Sequence, residues 1–191
     1  PKTRPTVITS GGIKPRKGTL QLVEAIAVVR EQIPDVQCLI MGNPNEKTSY
    51  SARVKDTIQR LNLQDSVQIM GFVDDDLMRA WFGAADVFVL PSINDGWWFE
   101  GFGLVVMEAS AAGTAVIGTD QCGVADAILH GETGLIVSQK NVSQELPQAI
   151  IDILSNPQKA RQMGEAGRVY AQTQTWHTIA QQTIRLYQPH I

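Results

Sequence analysis

The sequence predicts an α/β fold: a mostly parallel sheet of about six strands with helices on both faces, closed by a helical C-terminal tail. Three observations predict it. Short apolar runs bounded by Gly, Pro or Asp alternate with longer stretches of helical period, the signature of strand–helix units. Beyond the last apolar run the pattern is helical only. The 191 residues, 43% hydrophobic and 18% charged, suit one domain over 1–191 with a sizeable core, and exclude a disordered or collagen-like chain.

The elements follow in order. Residues 6–10 form the first strand, and residues 19–33 a helix that carries Leu22, Val23, Ile26, Ala27 and Ile33 on one face and stops at Pro34. Strands at 36–41, 67–70, 87–90, 115–117 and 135–137 complete the sheet. Helices at 51–63 and 75–85 join the second, third and fourth strands, and another starts near Gly103. Asp74, Asp75 and Asp76 sit at the start of the helix at 75–85, where carboxylates cap free N–H groups, a better reading than metal ligation. The tail comprises helices at 142–154, 158–172 and 176–187, broken at Asn156-Pro157 and at the polar residues 173–175. Trp176 and Tyr187 read there as packing residues.

Composition narrows the function. Sixteen Lys and Arg against 19 Asp and Glu give a net charge of −3, with no basic block to track a phosphate backbone, so nucleic acid is excluded as a partner. The longest apolar stretch, 103–118, is broken by Glu108 and does not span a membrane. Cys38 and Cys122 are far apart and form no CxxC pair, which predicts reduced thiols and a cytoplasmic protein. His130, His177 and His190 are scattered, so no metal and no cofactor are expected. The chain begins without Met and enters its first strand at Thr6, an abrupt start that predicts a piece of a longer protein.

In an open parallel sheet, ligands bind beyond the carboxyl ends of the strands, which directs attention to the loops there. Ser10-Gly11-Gly12-Ile13-Lys14-Pro15-Arg16-Lys17-Gly18 combines glycines for a tight turn with three cations near a helix start, an anion site in outline. A cation at that helix end is misplaced unless an anion joins it. After the fourth strand, Gly101 and Gly103 let a ligand approach the backbone where N–H groups at a helix start favour phosphate. Glu100 precedes that helix and Glu108 lies about five residues into it, roughly 7 to 8 Å along the axis. Carboxylates repel phosphate, so these two accept hydrogen bonds from hydroxyls on either side of it. A ligand with sugar, diphosphate and ribose fits that layout, with Gly71-Phe72-Val73-Asp74 offering backbone groups to a base. Residues 118–123 close the same edge.

Pro15-Arg16-Lys17-Gly18, Gly71-Phe72-Val73, Ala85-Asp86-Val87, Pro91-Ser92, Glu100-Gly101-Phe102-Gly103-Leu104 with Glu108-Ala109, and Gly131-x-x-Gly134 occur in this order. Together, from Thr6 to Tyr187, they resemble the C-terminal, nucleotide-sugar-binding half of retaining glycosyltransferases of the GT-B fold, in the large group-one family. The resemblance implies a Rossmann-like domain whose partner is its own N-terminal acceptor-binding domain, absent from this chain. It leaves open whether that half meets a membrane. It implies that Lys17 binds the donor diphosphate, Glu100 holds hydroxyls of the transferred sugar and Glu108 holds the ribose. Lys17 and Glu100 are then the catalytic pair, with backbone contacts at Gly101, Phe102, Gly103 and Leu104 and the base at the Val73 main chain. The family's usual Arg two residues after the first strand is Gly12 here, leaving Lys14 or Arg16 as its substitute. The family's Gly-Gly pair is Cys122-Gly123, and residues 95–99, Asp-Gly-Trp-Trp-Phe, lengthen the sugar loop.

Rival readings are weaker. Glu108 alone reads as a solvated helix residue; Glu100-Gly-Phe-Gly before it favours the ligand role. A dinucleotide-binding dehydrogenase domain shares the sheet, but the first loop is not GxGxxG. A non-catalytic binding module of the same fold stays open, and Trp97 and Trp98 fit stacking on a ligand, packing on another domain, or covering the loop's own core.

Overall fold

In the computed structural model, which describes residues 3–43 and 49–187, six parallel strands form one sheet. These are β1 (Thr6–Ser10), β2 (Gln37–Met41), β3 (Val67–Gly71), β4 (Val87–Leu90), β5 (Ala115–Thr119) and β6 (Gly134–Val137), in the order β3-β2-β1-β4-β5-β6. Strands β1, β4 and β5 are buried along their whole length, so both of their faces are covered. Successive side chains point to opposite faces, which divides the core in two. Val7, Cys38, Ile40, Val87, Val89 and Ile117 pack with α1 (Thr19–Gln32), α2 (Ser49–Arg60) and α5 (Val142–Ser155). Ile8, Leu39, Met41, Phe88, Leu90 and Val116 pack with α3 (Asp75–Ala84) and α4 (Leu104–Ala111).

Two tail helices follow, α6 (Pro157–Thr173) and α7 (Trp176–Tyr187). Helix α6 lies against α4 and β5, and its closeness rests on Gly164, where a Cβ would stand 2.0 Å from the Gly113 carbonyl oxygen. Helix α7 buries none of its residues, and Trp176 and Tyr187 are 77% and 82% exposed, against the packing role expected of them. Periodicity marks an apolar face without saying what covers it. No helix among the described residues is long and apolar enough to cross a membrane.

The predicted elements all form, with shifted ends. Helix α2 ends at Arg60, not residue 63, because Asn62 adopts a left-handed φ of 53° and lets the Leu63 N–H reach the Ile58 carbonyl at 2.9 Å. Strands β5 and β6 extend across Gly118 and Gly134, since ladder pairs such as Gly118 with Ile136 need no side chain. Asp74 caps α3 as expected, its Oδ1 accepting from the Leu77 N–H at 2.8 Å. Two short 3-10 helices, Pro15–Lys17 and Gly123–Ala127, were not expected, and both lie in loops at the carboxyl edge of the sheet.

Candidate functional site

Strands β1 and β4 are neighbours although β2 and β3 separate them in sequence, so the strand order reverses between them and a crevice opens beyond their carboxyl ends. The loop after β1 enters that crevice through Gly11, at φ 122°, whose N–H bonds the Met41 carbonyl at 2.9 Å. It then winds into the 3-10 turn, closed by Lys17 N–H to Lys14 O at 3.0 Å and Gly18 N–H to Pro15 O at 2.9 Å. Gly18 is doubly required: its φ is 64°, and a Cβ would lie 1.7 Å from the Pro91 carbonyl oxygen. Arg16 and Lys17 lie just before Gly18, the N-cap of α1, so they stand at the helix start expected from sequence, with a three-residue 3-10 turn leading into it.

The loop after β4 is tied to the first. The Ile93 N–H donates to the Arg16 carbonyl at 3.0 Å, and the Glu100 carboxylate bridges both cations through Oε2, 2.6 Å from an Arg16 guanidinium nitrogen and 2.7 Å from Lys17 Nζ. These side chains are only 12% (Glu100), 28% (Arg16) and 15% (Lys17) exposed, so Lys17 is no solvated surface cation. Two positive charges meet one negative, leaving a net positive spot in a partly desolvated crevice. No side chain caps the start of α4, where Gly103 sits at φ 73°.

The loop after β5 closes the third side. Its Gly123 N–H donates to the Glu100 carbonyl at 2.9 Å, and a Cβ on Gly123 would lie 1.8 Å from the Gly101 oxygen, so Cys122-Gly123 keeps the glycine that the contact needs. Thr119 donates its hydroxyl to the Ser92 carbonyl at 2.6 Å. Asn94 is clamped by Gln139 Oε1 on its N–H and by the Gln121 carbonyl on its amide, both at 2.9 Å. Gln139 is held in turn by Asp120 Oδ1 at 2.8 Å.

One cavity adjoins this cluster and a second lies apart from it. The first, of about 570 Å³, is lined by Lys14, Pro15, Arg16, Asp95, Trp98, Phe99, Glu100 and Gly101. The other, of about 540 Å³, lies between α3 and α4, with exposed Glu108 beside Asp75, Met78, Arg79 and Phe82. Of the residues singled out by sequence, Lys14, Arg16, Lys17, Glu100 and Gly101 therefore gather together, while Glu108 lies apart from them in the later half of α4, beside Ala111 and Ala112. Val73 is buried, 7% exposed, and its side chain packs in the core, so the side chain is not offered to a ligand. Phe102 and Leu104 instead line a third, apolar cavity of about 580 Å³ with Trp176 and Ile179. Gly12 has only the Lys14 side chain within 4 Å of a would-be Cβ. Sequence reasoning placed Asp95 and Phe99 in the lengthened sugar loop without assigning them a role, and missed Arg79 and the Asn94–Gln139–Asp120 clamp, whose residues meet only through folding.

Comparison with known proteins identifies the family and the fold. The family described as Glycosyl transferases group 1 matches residues 1–170, and the chain belongs to that family. Among curated relatives, the GDP-mannose-dependent alpha-(1-6)-phosphatidylinositol monomannoside mannosyltransferase of Mycobacterium tuberculosis is 32% identical over 180 residues, 93% of this chain and 46% of that protein. The D-inositol 3-phosphate glycosyltransferase of Pseudarthrobacter chlorophenolicus is 32% identical over 183 residues, covering 95% of this chain and 42% of that protein. Among solved structures, sucrose-phosphate synthase from Thermosynechococcus elongatus superposes with a TM-score of 0.81 at 34% identity, over 96% of this chain and 45% of that one. Anabaena HepE in complex with UDP-glucose gives a TM-score of 0.82 at 25% identity, over 96% and 48%. The chain thus spans under half the length of the relatives it matches. The match in fold with GT-B glycosyltransferases is the one the motifs imply.

Proposed function

We propose that this chain is the donor-binding domain of a retaining glycosyltransferase that moves a hexose from a nucleoside diphosphate sugar to an acceptor. The observation that carries the reading is the Arg16–Lys17–Glu100 cluster, where loops from β1 and β4 converge on an uncapped helix start. Two cations and free N–H groups suit a diphosphate; a displaced Glu100 suits the hydroxyls of a sugar next to it. Glu108, about one turn into α4, suits the ribose, and the cavity beside it reaches Asp75 at the start of α3, two residues after the Val73 main chain proposed for the base. Relatives named for GDP-mannose and a neighbour holding UDP-glucose support this donor class.

On this reading the anomeric carbon to phosphate bond breaks as the bond to the acceptor oxygen forms, and the acceptor's proton passes to a donor phosphate oxygen. Arg16 and Lys17 stabilise the charge that grows on the leaving diphosphate. Arg16 takes the place of the cation absent at Gly12, because it already lies in the cluster with Lys17, whereas Lys14 is exposed on the cavity rim. These side chains supply the positive charge, so the proposal needs no metal. The acceptor site belongs to an N-terminal domain, the enzyme works in the cytoplasm, and the domain by itself binds donor without appreciable transfer.

Titration calorimetry of the chain with UDP, GDP and ADP tests the reading. Selective binding of one of them, weakened at least tenfold by Lys17→Ala, is expected. Binding of NAD with none of the nucleoside diphosphates would overturn it.

A further inference from the structure

The lengthened loop of residues 95–99 is a built structure. Asp95 and Trp98 exchange backbone hydrogen bonds, each N–H to the other's carbonyl at 2.9 Å, forming a two-residue hairpin tip with Gly96 at φ 59°. Its base is fixed by the Asn94 clamp and by the Ile93 bond to the Arg16 carbonyl, both within the loop cluster of the site. This hairpin holds three large aromatic side chains in solvent: Trp97 is 96% exposed, Trp98 71% and Phe99 63%. Exposure on that scale eliminates the reading in which the pair covers the loop's own core, and contiguous apolar surface at a rigid position marks a binding surface.

The two tryptophans differ in what they face. Trp98 and Phe99 line the cavity together with Glu100, Gly101, Lys14, Arg16 and Asp95; Trp97 is not part of that lining. The cavity therefore combines aromatic surface, two carboxylates and two cations. That combination fits a pyranose ring. Its C–H face stacks on an aromatic side chain while its edge hydroxyls donate to carboxylates and accept from cations. A membrane surface fits less well, because Lys14, Arg16 and Lys17 set against Asp95 and Glu100 leave one net positive charge, short of the about four to eight clustered cations that draw an anionic lipid surface.

We infer that Trp98, supported by Phe99, is the stacking platform for the sugar ring of the donor, with Asp95 and Lys14 reading its outer hydroxyls. The inference rests on the donor-site reading above and adds to it a residue that sets affinity for the sugar and leaves affinity for the nucleotide untouched. Trp98 lies two residues before Glu100, so one short segment carries both the platform and the carboxylate that grips the ring.

The test compares the wild-type chain with Trp98→Ala, Trp98→Phe and Trp97→Ala by calorimetry, using GDP with GDP-mannose and UDP with UDP-glucose. For the pair that binds, the affinity of the sugar conjugate relative to its nucleoside diphosphate falls about tenfold in Trp98→Ala, a loss of one stacked ring. The nucleoside diphosphate alone binds all four proteins equally, Trp98→Phe recovers most of the ratio, and Trp97→Ala keeps it. An unchanged ratio in Trp98→Ala, with nucleoside diphosphate binding intact, overturns this inference and leaves the donor-site reading standing. Failure of the wild type to bind any nucleoside diphosphate overturns both. Co-sedimentation with phosphatidylcholine–phosphatidylglycerol vesicles that is lost in Trp98→Ala would assign the hairpin to a lipid surface and overturn it too.

Discussion

Replacing Glu100 by Gln keeps the shape of the side chain and removes its charge. The carboxylate makes two charge-assisted contacts, at 2.6 and 2.7 Å, with all three side chains less than 30% exposed. Hydrogen bonds to charged groups contribute about 1.5 to 3 kcal/mol each. The Gln carbonyl retains part of this, so the net loss is about 2 kcal/mol, most of it from two cations left facing each other without a counter-charge. In a chain of this size that lowers Tm by about 4 to 8 °C. The same change frees Arg16 and Lys17 for an anion. Pyrophosphate should therefore bind the variant several-fold more tightly than the wild type and return most of the lost Tm. Thermal melts with and without pyrophosphate, read with calorimetry, measure both effects. A variant that melts with the wild type and binds pyrophosphate no better would refute the claim that these cations form the phosphate site.

Gly18→Ala forces a Cβ to within 1.7 Å of the Pro91 oxygen at a φ of 64°, and should cost about 3 kcal/mol or more in urea denaturation, together with nucleoside diphosphate binding. Gly12→Arg meets only the flexible Lys14 side chain, 3.5 Å away, so it should fold with an unchanged Tm and bind nucleoside diphosphate several-fold more tightly by calorimetry. Burial pushes the Cys38 thiol from 9.0 up to about 12, so the folded state keeps a proton that the unfolded chain releases. Stability should hold below pH 9 and fall between pH 9 and about 12. The slope is about 1.4 kcal/mol per pH unit, and Tyr50, also raised by burial, adds to it above its usual range. Urea midpoints at pH 8 and pH 10 check this, and Cys38→Ala should flatten the decline.

Much of the fold was legible because strands covered on both faces are short apolar runs and the helices between them keep a clear period, as in β4 and α3. The site was legible as a set of loops, since glycines and charges mark where backbone must turn or meet a ligand. Contacts within it were not. Glu100 meets Arg16 across 84 residues of chain, and nothing local to either says that it is Arg16, and not Lys14, that joins Lys17. The 3-10 turn that aims both cations is three residues long, too short for any periodic signal. Asp95-Gly96 is a turn signal, yet only the folded hairpin separates Trp98, on the cavity wall, from Trp97, in solvent. Trp176 and Tyr187 show the converse: a helical stripe in α7 is visible in sequence, but its covering surface is not.

The central claim is that a diphosphate sits at the α4 start with a nucleoside on the Glu108 side. Calorimetry of the wild type and Glu108→Ala, each titrated with GDP, UDP and pyrophosphate, tests it most directly. The account predicts that the preferred nucleoside diphosphate loses about tenfold or more in affinity in the variant, as hydrogen bonds to ribose are removed, while pyrophosphate binds both proteins alike. Equal nucleoside diphosphate affinities, or a matching loss for pyrophosphate, would contradict it.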